Sequence, residues 1–242
     1  MTNNKTIGTA ELEYYDSVFK RQPKRVRIPL IGSRKRKWFR ELLQRVRADG
    51  GTVLDVGCGQ GDLLSEAVRR GNACFGLDLS KSGLLKTSRE NPGANLVLCD
   101  VCSSFPFNDF KFDFVFSLGV LEHLPELNRT LAEIVRVSGP TTKICVTVAN
   151  KDALFGRIVR KTGIGKDYWP INNLRNFNDW AACFERERLR IVKVVKDDPI
   201  VRGWNEAATW RGLAAKLLSQ VLFPLIPFNI SSAFTFYLVV SS

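Results

Sequence analysis

The chain has 242 residues, enough for one domain with a full core and short for two. Hydrophobic residues make up 45% and charged residues 25%, with 18 Gly and 10 Pro, which excludes disordered, collagen-like and fibrous classes. Lys and Arg outnumber Asp and Glu by 36 to 24, and the surplus is uneven: residues 1–50 hold 13 basic and 5 acidic side chains.

The stretch from Lys20 to Arg47 holds 12 basic residues against Glu41 alone. It reads either as a solvated basic face or as a surface for phosphates, whether lipid headgroups or nucleic acid. Regular aromatic interleaving, which would stack bases, is missing from it. The six cysteines (Cys58, Cys74, Cys99, Cys102, Cys145 and Cys183) are scattered, mostly in apolar runs, with no secretory signal before them. Free buried thiols in a reducing, cytoplasmic compartment are the expectation. Cys99 and Cys102 form a lone C-x-x-C and His123 is the one histidine, so no metal site is expected.

In chain order, residues 10–20 predict a short amphipathic helix and residues 33–48 a second, opened by Ser33. Together 1–50 form a basic helical cap ahead of a domain over 51–242. Thr52–Val56 reads as a strand, Asp62–Arg70 as a helix stopped at Gly71, and Ala73–Leu79 as a strand. A helix over Lys81–Glu90 ends at Asn91-Pro92-Gly93. Strands follow at Asn95–Cys99 and Phe112–Leu118, then a helix at Pro125–Val137 and a strand at Thr142–Val148. Residues 150–176 break the rhythm and read as an inserted lid or binding loop. Phe177–Glu187 is then a helix, Leu189–Lys196 a strand, Trp204–Phe223 a helix and Phe234–Val240 a last strand. The alternation implies an α/β fold: a Rossmann-like, doubly wound, mostly parallel sheet of about seven strands with an antiparallel last strand.

The chemistry sits where the first strand delivers Asp55 and three glycines follow at 57, 59 and 61. Glycines permit a tight turn at positive φ and let a ligand approach the backbone. A dinucleotide fingerprint would read G-x-G-x-x-G, but the spacing here is G-x-G-x-G with Asp62 next. An anion there is a poor neighbour for pyrophosphate and a good one for an ammonium group. The second strand ends at Asp78 and Leu79, where an acid accepts ribose hydroxyls. The third ends at Asp100 and Val101, placed for an exocyclic amine and a purine face. Three acids at three successive strand ends imply a ligand with ribose, adenine and a cationic amino-acid tail.

This pattern resembles the class I S-adenosylmethionine-dependent methyltransferases. Asp55 with Gly57, Cys58, Gly59 and Gly61 matches the first motif, Asp78 and Leu79 the ribose position, and Asp100 and Val101 the adenine position. Phe112-Asp-Phe-Val-Phe-Ser-Leu-Gly-Val-Leu-Glu-His-Leu-Pro125 is similar to the fourth-strand motif of the small-molecule branch, which implies cofactor contact near Ser117 and Leu118. The turn Arg136-Val-Ser-Gly-Pro-Thr-Thr-Lys143 departs from the usual Pro-Gly-Gly of that branch. The resemblance implies S-adenosyl-L-methionine as cofactor and methyl transfer by in-line displacement. It also implies that Tyr15, or Tyr14, closes over the cofactor from the amino-terminal helix.

His123, just after the fourth strand, is the candidate base, with packing or helix capping as the alternative. Glu122 is a weaker candidate for the same role. Tyr168 and Trp169 are candidates for the acceptor pocket. After Lys216 the chain carries no charge for 26 residues, but Pro224, Pro227 and Asn229 break the run, so a membrane-spanning helix is not expected.

The leading functional reading is methylation of a small-molecule acceptor at oxygen or nitrogen. A lipophilic acceptor at a membrane surface is the runner-up, with the basic and apolar ends as two weak membrane signals. In that case the apolar end does not simply cap the sheet or join a homodimer. An RNA methyltransferase and a non-catalytic cofactor-binding scaffold rank lower, and nucleic acid is not the expected partner.

Overall fold

The computed structural model describes residues 13–14, 16–17, 20, 29–154, 173–197 and 223–241. Its elements are α1 (Pro29–Val46), β1 (Thr52–Val56), α2 (Asp62–Val68), β2 (Ala73–Asp78), α3 (Lys81–Glu90), β3 (Asn95–Leu98), β4 (Phe112–Leu118), α4 (Leu127–Val137), β5 (Ser138–Ala149), α5 (Phe177–Arg186), β6 (Leu189–Asp197) and β7 (Ala233–Val240). The sheet order is β3-β2-β1-β4-β5-β7-β6. The first five strands run parallel, and β7 lies between β5 and β6, antiparallel to both. This is the expected Rossmann-like sheet with its antiparallel last strand.

Both faces of the sheet are covered, as near-continuous apolar strands require. On one face Leu54, Val56, Val115, Ile144, Val146 and Phe236 pack with side chains of α4 and α5, among them Leu131, Ile134, Trp180 and Phe184. On the other, Val53, Phe114, Phe116 and Cys145 pack with Phe39, Leu42 and Leu43 of α1 and with Leu63, Leu64 and Ala67 of α2. Each fully buried large side chain contributes about 1.5–3 kcal/mol. All six cysteines are free thiols, five of them buried.

Several boundaries shift for identifiable reasons. Helix α1 starts at Pro29 and not at Ser33, because proline suits a first turn in which its missing N–H costs nothing. Strand β5 starts at Ser138, four residues before the expected Thr142. Ser138 leaves α4 already extended (φ −99, ψ 132) and pairs with Phe112, and the Thr142 hydroxyl donates to the Phe112 carbonyl at 2.6 Å. A bulge between Phe112 and Phe114 absorbs the extra length. Of the expected lid at 150–176, positions 155–172 lie outside the described residues, and so do positions 204–222 of the expected helix. Phe223 opens a 3₁₀ turn, Phe223–Leu225.

The topology places every loop of interest at one edge. The carboxyl ends of the parallel strands meet there, and Ala233 of β7 pairs with Ala149 of β5 and Asp197 of β6 at the same level. Connections following β5 and β6 therefore leave from the edge that carries the glycine loop. Among the described residues no helix is long and apolar enough to cross a membrane, and no cluster of His, Cys, Asp and Glu could hold a metal ion.

Candidate cofactor and active site

The glycine loop folds back over β2. The Gly57 and Cys58 amides both donate to the Leu77 carbonyl, at 2.8 and 2.9 Å, and Gly61 donates to Cys58 at 2.9 Å. Gly57, Gly59 and Gly61 have φ of 78, 53 and 71. A Cβ on Gly57 would stand 2.4 Å from Val120 Cγ2, and one on Gly61 would stand 2.3 Å from Thr87 Cγ2. Conformation and space thus both demand glycine at these two positions. The loop carbonyls turn towards α3, where the Thr87 hydroxyl donates to Gly59 at 2.9 Å and Asn91 Nδ2 to Gly61 at 3.4 Å. Sequence reasoning gave Thr87 and Asn91 no part in the site. Their four-residue spacing, which puts both on one helix face, was the available signal.

The acids stand where the strand ends predicted. Asp78 Oδ2 accepts the Gly59 N–H at 2.7 Å and Oδ1 accepts the Ser80 N–H at 2.7 Å. Each carboxylate oxygen keeps lone-pair capacity for a further donor, as a vicinal diol would require. Burial raises the Asp78 pKa, opposed by the Ser80, Gly59 and Leu79 amides. Asp55 is 4% exposed, and burial, with Asp78 and Asp62 nearby, pushes its pKa up to about 8. A buried carboxyl facing two other acids is a site that a cation would relieve. Asp100 Oδ1 accepts the Cys102 N–H at 2.8 Å. Val101 packs into the core cluster and its carbonyl accepts the Thr130 hydroxyl at 2.8 Å. Cys58 is 7% exposed, and its thiol pKa is raised well above the ordinary value, chiefly by burial. These residues fit a ligand carrying a diol and an ammonium group.

On the other side of the loop, Leu118 closes β4 half-buried, and Gly119 (φ 74) donates to the Thr147 carbonyl at 2.8 Å. A 3₁₀ turn, Leu121–His123, follows. His123 is half-buried there, and its amide donates to Val120 at 2.9 Å. Glu122 points inward instead. Its Oε1 accepts the Ala149 N–H at 3.1 Å, its Oε2 is buried without a hydrogen-bond partner, and burial raises its pKa. Its backbone carbonyl accepts the Asn173 amide at 2.9 Å, so this turn also holds the chain at residue 173. Tyr15, Tyr168 and Trp169 lie outside the described residues; Tyr14 is half-buried in a helical stretch.

A family model described as a methyltransferase domain matches residues 54–146. That span runs from β1, which carries Asp55, to β5, which pairs with β4. Residues 54–146 are a class I S-adenosylmethionine-dependent methyltransferase domain. A demethylmenaquinone methyltransferase of Oceanobacillus iheyensis is 29% identical over 131 residues, covering 51% of this chain and 55% of the relative. A phthiotriol/phenolphthiotriol dimycocerosates methyltransferase of Mycobacterium ulcerans is 35% identical over 99 residues, covering 39% of this chain and 36% of the relative. The chain spans about half the length of the first curated relatives it matches. The crystal structure of geranyl diphosphate C-methyltransferase from Streptomyces coelicolor A3(2) shares the fold, with a TM-score of 0.69 at 13% identity over 96% of this chain and 99% of that one.

Proposed function

We propose that the chain as a whole transfers the methyl group of S-adenosylmethionine to oxygen or nitrogen of a small-molecule acceptor. The carrying observation is the set of acids at one sheet edge: a doubly hydrogen-bonded Asp78 beside a buried Asp55 whose pKa stands near 8. When bound, the cofactor supplies a methyl group already activated on a positive sulfur. Asp78 accepts the ribose hydroxyls, Asp55 answers the ammonium group, and Asp100 and Val101 flank the adenine. Gly57, Cys58, Gly59, Gly61, Leu79 and Leu118 shape the surrounding wall. With the donor activated, orientation supplies much of the acceleration, worth about 7–11 kcal/mol in well-aligned reactions. His123 takes the acceptor proton, which adds roughly 10²–10⁴-fold where that proton must leave.

A panel of phenols, carboxylates and amines incubated with labelled methyl donor tests this reading. Label on oxygen or nitrogen, reduced in His123→Ala more than in cofactor affinity, supports it. Label on carbon contradicts it.

A second reading, a lipophilic acceptor met at a membrane surface, is favoured by the segment before β7. Leu225 is 75% exposed and Phe228 39%, at the edge that carries the site. Many of its backbone carbonyls are nonetheless bonded. Lys196 Nζ donates to the carbonyls of Phe223, Pro224 and Ile226 at 3.0, 3.0 and 2.9 Å, and Asn150 Nδ2 to those of Asn229 and Ser231 at 2.9 and 2.8 Å. An apolar tip with its carbonyls already bonded suits an apolar medium, where unpaired backbone groups are costly. The relatives named for demethylmenaquinone and dimycocerosates point the same way. If this reading holds, Leu225→Asp lowers methylation of a vesicle-borne acceptor and leaves that of a water-soluble one unchanged. Equal loss of both, or of neither, contradicts it.

A further inference from the structure

Among the described amino-terminal residues, Asp16 reaches the start of α3, and nothing in the sequence singled it out. Asp16 Oδ1 accepts the Ser82 N–H at 2.8 Å and lies 3.0 Å from the Ser80 hydroxyl and 2.7 Å from the Ser82 hydroxyl. The Ser82 hydroxyl also stands 2.9 Å from the Asp16 carbonyl, and Lys20 Nζ pairs with the other carboxylate oxygen at 2.5 Å. These contacts fall on the first turn of α3. Ser80 is its N-cap, accepting the Gly83 N–H at 3.1 Å, so the helix start is capped once by the adjoining Ser80 and once by Asp16, 66 residues before the Ser82 amide it takes. A carboxylate there meets orphan amides and the positive end of the helix dipole. The bonds from Lys20, Ser82 and Ser80 hold the Asp16 carboxyl far below the usual carboxylate range.

What makes this more than a packing contact is the next bond along. The amide of fully buried Ser80 donates to Asp78 Oδ1 at 2.7 Å. One residue therefore takes Asp16 on its hydroxyl and Asp78 on its amide. Asp78 in turn fixes Gly59 of the glycine loop at 2.7 Å. Asp16, Ser80, Asp78 and Gly59 form a continuous hydrogen-bonded path from the amino-terminal segment into the loop.

We infer that Asp16 is a positioning residue for the cofactor, coupling attachment of the amino-terminal helical segment to occupancy at Asp78. This rests on the reading that Asp78 receives the ribose. With Asp16 bonded, the Ser80 and Ser82 groups that frame Asp78 are held in one arrangement, and a ligand on Asp78 favours the same arrangement. Coupling of this kind is reciprocal: whatever Asp16 adds to ligand affinity, bound ligand adds to attachment of the segment.

The test is titration and dissociation kinetics of S-adenosylhomocysteine on wild type, Asp16→Ala, Asp16→Asn and Asp78→Ala, alongside tryptic cleavage after Lys20 and Arg21. Asp16→Ala is expected to weaken binding about tenfold, the scale of losing charge-assisted hydrogen bonds, with most of the change in the dissociation rate. Asp16→Asn keeps an acceptor for Ser82 and Ser80 and is expected to recover part of the loss. In wild type, saturating ligand slows cleavage after Lys20 by a similar factor, and that protection disappears in Asp16→Ala. Should Asp16→Ala destabilise the fold, Ser82→Ala gives the same comparison with a smaller loss. Wild-type affinity and unchanged protection in Asp16→Ala, with Asp78→Ala weakened, would overturn this proposal alone. Wild-type affinity in Asp78→Ala would instead overturn the ribose reading beneath it.

Discussion

The Gly59 amide nitrogen lies 2.7 Å from Oδ2 of Asp78, so the middle of the glycine loop is tied to the end of the second strand. That bond joins the two motif positions that a ribose would bridge. Ser80 completes the arrangement from the other side, 2.7 Å from Oδ1. The carboxylate is thus aimed by backbone groups, which cannot rotate away as side chains do. Preorganisation of this kind lowers the ordering cost of ligand binding.

Asp55 gives a pH signature. Burial, then Asp78 and Asp62, raise its pKa to about 8, so in the free protein it is mostly neutral at pH 7. An ammonium group brought against it favours the ionised form and lowers that pKa. Cofactor binding near pH 7 is therefore expected to release a proton, and affinity to rise with pH up to about 8. Calorimetry in buffers of different ionisation enthalpy reads the released proton directly. Asp55→Asn is expected to abolish both effects, and a buffer-independent enthalpy in wild type would contradict this role.

Gly57 and Val120 provide a steric test. An added Cβ at Gly57 would stand 2.4 Å from Val120 Cγ2, at a φ of +78. Gly57→Ala is expected to cost about 1–2 kcal/mol for the left-handed backbone and about 1–3 kcal/mol for overpacking. In the double variant with Val120→Ala only the overpacking part should be recovered, giving a negative interaction energy in a double-mutant cycle. Thermal or denaturant unfolding measures it. Strict additivity of the two substitutions would show that the contact carries no strain.

Much of this site was legible because its determinants are local. Asp55, Gly57, Gly59 and Gly61 announce themselves by spacing, and Asp78 and Asp100 by position at strand ends. Boundaries failed where tertiary contacts decided: β5 reaches back to Ser138 because Phe112 and Thr142 pair across 30 residues. Asp16 and Lys196 were silent for the same reason, since each acts on groups distant in sequence and an isolated Asp or Lys carries no local pattern, while Thr87 and Asn91 left only their four-residue spacing on one helix face.

Glu122 gives a second pH effect, on stability. Its pKa is raised above 4.5 by burial, so the folded state holds its proton more tightly than the unfolded chain. Its contribution is then fully present below about 4.5 and is lost as pH rises through the raised folded value. Glu122→Gln retains an oxygen for the Ala149 amide and removes the titration. Melting curves across pH are expected to show wild type losing stability towards alkaline pH and Glu122→Gln losing less. Parallel curves for the two proteins would mean that burial of Glu122 has no titration consequence.

Calorimetric titration of S-adenosylmethionine and S-adenosylhomocysteine into wild type and Asp78→Ala decides whether the cofactor site is built around Asp78. Hydrogen bonds to a charged group contribute about 1.5–3 kcal/mol, so wild type is expected to bind at micromolar concentration and the folded variant at least tenfold more weakly. Equal affinity in the two proteins, or no binding of either compound to folded wild type, would contradict it.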